Sequence, residues 1–169
     1  MDERRHAEST SVDQRTTVER KSERELVVMR FFDAPARLVF EAWTKPELFM
    51  RWWAPKSSGV PLLSCDMDVR TGGGYRVAFG HDAENAMEFF GKYLEVIPNA
   101  RLVWTNEESE DAALTTVTFE DKGDRTLLTL HELYPTKEAL DEAIEGMEGG
   151  MPEQFEQLDE LLVILGASA

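Results

Sequence analysis

Apolar and polar positions along the chain alternate between the periods of strand and helix, and each change of period predicts an element. "ELVVMRFF" (Glu25 to Phe32) is dense in β-branched and aromatic residues and predicts a strand. Leu38, Val39, Ala42 and Trp43 then recur at helical spacing, predicting a short amphipathic helix with Asp33 as its cap and Pro35 in its first turn. "TKPELFMRWW" repeats the start signal, with Thr44 as cap, Pro46 early and Pro55 as the stop. From "LLSCDMDV" onward the period is two: Leu63, Cys65, Met67 and Val69 alternate with polar residues, and Tyr75, Val77 and Phe79 do the same beyond "TGGG". "MEFFGKYLEVI", "RLVWTN", "LTTVTFED" and "RTLLTLHELY" complete six consecutive strands, with "KGD" as a hairpin loop between the last two.

The helical period returns at the end. Leu140, Ile144, Met147, Met151, Phe155, Leu158, Leu162 and Leu165 advance by steps of three and four. "EGGMPE" interrupts them, and an internal proline costs about 3 kcal/mol. The expectation is a short helix, a break near 148–151, and a longer helix from about Met151 to Leu165 with Pro152 in its first turn. Six meandering antiparallel strands curl strongly. The long apolar stripe then has one surface large enough to bury it, the concave face of the sheet. The result is an α+β protein of order β-α-α-β6-α, and a curved sheet wrapped around a helix leaves an apolar pocket at their interface.

The adjacent indoles of "FMRWWAPK" fit this picture. Neighbours on a helix point about 100° apart, so Trp52 and Trp53 have two destinations. Trp52 is assigned to the underside of the second helix with Leu48, and Trp53 to the mouth of the pocket.

Composition narrows the function classes. At 169 residues the chain has room for a full core, with residues 1–15 as a flexible polar tail and 16–169 as a single domain. A net charge of −15 with no basic footprint argues against nucleic acid. No apolar run reaches the roughly 20 residues of a membrane span, and the start has no secretory h-region. One cysteine, Cys65, excludes an internal disulfide, and a cytoplasmic location is expected. From Pro135 to Ala169 there are nine Asp/Glu and one Lys, which reads as the solvated side of a helix or as a docking face for a basic partner.

Several stretches occur together in a familiar order: "RFFDAPARLVFEAWTKPELFMRWWAP", "CDMDVRTGGGYRVAF", "FFGKYLEVIPNARLVWT" and "GGMPEQFEQLDELL". Together they resemble the family of homologues of the activator of the 90-kDa heat-shock-protein ATPase, in the START-like, birch-pollen-allergen-like (SRPBCC) superfamily. The resemblance covers about residues 24 to 166. It implies the helix-grip fold and an apolar cavity, in a superfamily that spans carriers, cyclases and a chaperone activator, so function must be argued from the site.

Candidate chemistry is sparse. "TGGGY" lacks the Gly-Lys-Ser/Thr ending of a phosphate loop and lies between strands, so it reads as a hairpin turn that needs positive φ, with Asp68 and Arg70 paired beside it. His6, His81 and His131 are too scattered for a metal site, and no cofactor is expected. Cys65 with His131 is the one nucleophilic pair to consider, against the plainer reading of Cys65 as a small buried hydrophobe. His131 and Glu132 fall on opposite faces of the last strand; Phe89, Tyr93 and Glu95 share one face of theirs, and Glu88 and Phe90 the other.

The expected pocket lining is Trp53, Tyr75, Phe79, Phe89, Trp104, Phe119, His131, Tyr134, Phe155 and Leu158. The expected function is non-enzymatic binding of a small hydrophobic molecule. The alternatives are a chaperone-activator-like module that binds a protein partner, and a cyclase-like enzyme using His131 or a buried Glu. A homodimer is also compatible with the sequence.

Overall fold

A computed structural model describes residues 16–168; the expected N-terminal tail, residues 1–15, lies outside them. Eight strands form one antiparallel sheet: β1 (Thr17–Arg20), β2 (Glu25–Phe32), β3 (Leu62–Met67), β4 (Gly74–Phe79), β5 (Met87–Ile97), β6 (Arg101–Thr105), β7 (Leu114–Asp121) and β8 (Thr126–Leu133). Their order is β1-β2-β8-β7-β6-β5-β4-β3, so the six consecutive strands form a meander whose last member pairs back onto β2. Helices α1 (Ala36–Thr44) and α2 (Pro46–Phe49) follow β2, and α3 (Lys137–Ser168) follows the meander. This is the helix-grip α+β arrangement.

One row of side chains shows how the concave face is made. Val28, Leu130, Val117 and Leu102 are register partners across β2, β8, β7 and β6, and all four are buried. Met151, Phe155, Leu158 and Leu162 of α3 are buried in the same core, with Phe155 edge-on to Phe32 at 5.6 Å. Burying such side chains is worth about 1.5–3 kcal/mol each.

Five local expectations are corrected. First, β1 precedes the strand at Glu25. Its four residues, "TVER", are too short and too charged to show a period, and β1 is held at the sheet edge by pairing Thr17 with Met29 and Arg20 with Leu26.

Second, α3 is continuous through Pro152. The apolar stripe docks on both sides of the proline, and that burial outweighs the loss of one backbone hydrogen bond. At its start Thr136 Oγ1 accepts from the Ala139 amide at 3.0 Å, a side-chain cap.

Third, neither Asp33 nor Thr44 caps a helix. Pro35 and Lys45 occupy the N-cap positions without side-chain bonds. Asp33 pairs with Arg125 at 3.0 Å, and Thr44 donates to the Phe40 carbonyl of its own helix.

Fourth and fifth, irregularities in β3 and β5 break the two-residue alternation. The register shifts between Leu62 and Ser64, so Leu62 packs on the core and Leu63 is exposed. It shifts again between Tyr93 and Glu95, so Val96 takes the inward place after Tyr93. Glu95 therefore does not share the face of Tyr93 and pairs with Arg101 at 2.8 Å. An extra residue in a strand reverses the face of everything beyond it.

The glycine turn reads as expected: Gly72 has φ +91°, a Cβ on Gly73 would fall 2.0 Å from the Asp68 carbonyl oxygen, and exposed Asp68 and Arg70 pair at 2.9 Å.

Candidate functional site

The tryptophan pair is the place where helix and sheet meet. α2 and the turn after it point the two rings apart. Trp52 is fully buried against Trp43 and donates its indole N–H to the Ala42 carbonyl at 2.9 Å. Trp53 stacks on Phe49, with ring centroids 4.8 Å apart and planes 25° apart, and turns its remaining surface into a cavity of about 210 Å³.

α1, α2 and the turn after α2 roof this cavity with Trp43, Phe49 and Trp53. The sheet floors it with Met67 from β3, Tyr75, Val77 and Phe79 from β4, Phe89 and Tyr93 from β5, and Trp104 from β6. Asn106 completes the wall. Phe79 and Phe89 meet edge-to-face at 5.4 Å, and Tyr93 and Trp104 are register partners.

Five residues expected in the lining are there: Trp53, Tyr75, Phe79, Phe89 and Trp104. Five are not. Phe155 and Leu158 are buried where α3 seals against the sheet, and Phe119 is buried edge-on to Phe40 and Trp43 of α1. The void therefore lies beneath α1 and α2, not beneath α3. His131 points out of the opposite face and bonds Glu25 at 2.8 Å. Tyr134 packs in a separate small core with Leu26, Ala139 and Leu140. Trp43, Phe49, Met67, Val77, Tyr93 and Asn106 were missed. Trp43 lies on the predicted apolar stripe of α1, which was the signal available for it. Nothing in the sequence says which end of the concave face stays open.

Beside the cavity runs a chain of polar contacts. The Tyr75 hydroxyl lies 2.8 Å from the Thr105 carbonyl oxygen and 2.9 Å from Asn106 Oδ1. Gly91 permits this geometry, since a Cβ there would stand 1.9 Å from the same Thr105 oxygen. Asn106 Nδ2 donates to Thr115 Oγ1 at 2.9 Å, and Thr115 donates to Glu132 Oε2 at 2.8 Å. The Tyr134 hydroxyl donates to Glu132 Oε1 at 2.7 Å.

Glu132 thus faces the concave side, in register with Leu26 and Thr115. Burial pushes its pKa above the usual carboxylate range, against the lowering effect of its two hydroxyl donors and of His131. Burial also raises Glu108, whose Oε1 has no hydrogen-bond partner. These two carboxylates line a wider, more open polar recess of about 430 Å³ near the start of α3. Neither lines the aromatic cavity.

Burial pushes the Cys65 thiol up to about 11. Cys65 sits on β3 and His131 on β8, with four strands between them, so they form no nucleophilic pair. Among the described residues no group of His, Cys, Asp and Glu could hold a metal ion.

The roof is tied down from α3. Gln154 Nε2 donates to the Trp53 carbonyl at 2.6 Å, and Gln157 Nε2 to those of Trp52 and Ala54 at 2.8 and 2.9 Å. The Gln157 side-chain carbonyl accepts from the Lys56 amide at 2.9 Å, and Glu153 accepts from Ser57. Polar residues within an apolar stripe gave no hint of this clamp.

The chain matches the family described as Activator of Hsp90 ATPase homolog 1-like protein over residues 33–163. No curated protein matches it. Among solved structures, a protein from Nitrosomonas europaea is 26% identical with a TM-score of 0.76, over 88% of this chain and 99% of that one. One from Rhodobacter sphaeroides is 24% identical with a TM-score of 0.79, over 90% and 98%. An AHSA1-like protein from Aeromonas hydrophila is 18% identical with a TM-score of 0.68, over 80% and 92%.

Proposed function

We propose, from the premise that the chain belongs to the Activator of Hsp90 ATPase homolog 1-like family, that it is a non-enzymatic binding protein for a small hydrophobic molecule. The observation that carries this reading is the aromatic cavity under α1 and α2, walled by side chains from six elements and free of charged groups. Apolar area buried there contributes about 25 cal/mol per Å² to affinity. Catalysis finds less support. Glu132, the buried carboxylate on the concave face of β8, is held by Thr115 and Tyr134 outside the cavity wall. A ligand in the cavity stabilises the full chain by an amount that grows with its excess over Kd, about 2.7 kcal/mol at a hundredfold excess, and so raises the unfolding temperature. A broad set of one- and two-ring apolar compounds that gives no shift sinks the reading.

A second reading, activation of a chaperone ATPase through a protein surface, draws on the family and on the outer side of α3. There Glu138, Asp141, Glu142, Glu145 and Glu148 are all exposed. It predicts a change in chaperone ATPase rate on adding the chain, and loss of that change at high salt.

Among the described residues no helix is long and apolar enough to cross a membrane.

A further inference from the structure

The cavity wall carries hydrogen-bond donors that the protein leaves unused. Tyr93 is 4% exposed and lines the cavity, yet its hydroxyl makes no hydrogen bond among the described residues. Its neighbour Tyr75, by contrast, directs its hydroxyl at Thr105 and Asn106. The indole N–H groups of Trp53 and Trp104 likewise find no acceptor among the described residues; that of Trp43 has none either, but it is closed off from water and so does not open on the cavity. An indole N–H can only donate. Native interiors rarely leave buried polar groups without a partner or a reason.

Three further facts narrow what would fit. The polar groups of the wall that are already satisfied, on Tyr75 and Asn106, bond one another, so what remains unmet is mainly donor capacity. No charged side chain lines the cavity, so an anion entering it would lose its water and meet no counter-charge. The cavity is about 210 Å³, against the dry cavity of about 150 Å³ that takes benzene, so it admits one substituted ring or two fused ones. The flat aromatic roof and floor favour a flat ligand.

We propose that the cavity takes a neutral, flat carbonyl compound of one or two rings, whose oxygen accepts a hydrogen bond from the Tyr93 hydroxyl. This rests on the reading of the cavity as a ligand site and adds the ligand's chemical class and its orienting residue.

The test uses three compounds of one shape: 2-acetylnaphthalene, 2-isopropylnaphthalene and 2-naphthoate. Each is titrated calorimetrically into the full chain and into Tyr93→Phe. The substitution deprives no protein group of a partner, and an unchanged unfolding temperature of the free variant checks that it folds.

The expected result is that Tyr93→Phe weakens the ketone about fivefold to tenfold, the loss of one neutral hydrogen bond, and leaves the hydrocarbon within about twofold. The carboxylate binds the unmodified chain at least about a hundredfold more weakly than the ketone. The inference is overturned if Tyr93→Phe weakens ketone and hydrocarbon alike, if it weakens neither, or if the carboxylate binds as tightly as the ketone. If none of the three compounds binds, the ligand-site reading fails and the inference falls with it. Hydrocarbon binding that survives while the ketone ignores the substitution overturns the inference alone.

Discussion

Trp52 and Trp53 are adjacent in the chain and do different work. Trp52→Phe removes a bond to the Ala42 carbonyl and leaves a void beside Trp43 and Phe155. Urea unfolding is expected to show a loss of about 2–4 kcal/mol. Trp53→Ala removes a half-buried ring from the roof, so its main effect is on binding: the ligand-induced rise in unfolding temperature disappears. Glu132 gives a prediction with a defined sign. Its folded pKa is raised, so the native state binds more protons than the unfolded chain, and stability falls as pH climbs from about 4.3 toward the folded value. Measured by denaturant between pH 4 and 7, the native chain is therefore expected to lose stability relative to Glu132→Gln as pH rises. Glu25 runs the other way: the hydrogen bond from His131 lowers its pKa, so its contribution is present above about pH 4.3 and fades as pH falls through the folded value.

α3 is where the element scale decides. Because the helix runs unbroken through Pro152, Pro152→Ala restores an interior hydrogen bond and is expected to add about 1–3 kcal/mol in urea unfolding. A helix that began at Met151 would show no gain, since proline suits a first turn. Gln157→Ala leaves two carbonyls and an amide of the Trp52–Lys56 segment without their partner and is expected to cost about 1–3 kcal/mol. The periodic elements were legible in the sequence because burial imposes their period directly: the stripe of α1, the meander, and the stripe of α3 from Leu140 to Leu162. The irregular ones were not. A bulge at Leu94 changes no residue type, only the count between partners, so it reverses the faces of Glu95 and Val96 without leaving a trace in the pattern. Residues that act through geometry, such as Gln154 and Gln157, look like ordinary polar positions until the roof segment is in place.

At the scale of the whole molecule, charge and void are the two features to weigh. With a net charge of −15 the folded chain repels itself. Raising salt from 0.01 to 0.15 M shortens the screening length from about 30 to about 8 Å. The unfolding temperature is expected to rise by about 2–4 °C per kcal/mol of repulsion removed. The void was legible as a consequence of a curved sheet around a helix, but its position was not. Phe155 and Leu158 fill the space beneath α3 and Phe119 that beneath Phe40 of α1, and the unfilled space falls toward β3–β6, under Trp43, Phe49 and Trp53. That end gathers every indole in the chain. Trp43 stands 4.8 Å from Trp52, 5.8 Å from Trp53 and 5.9 Å from Trp104. Rings this close couple their electronic transitions, so excitation is shared among them and the near-ultraviolet circular dichroism carries the signature of the cluster as a whole. A guest between Trp53 and Trp104 perturbs that coupling, whereas one bound on the far surface of α3 leaves it unchanged, so the chain reports occupancy of its own cavity without any label.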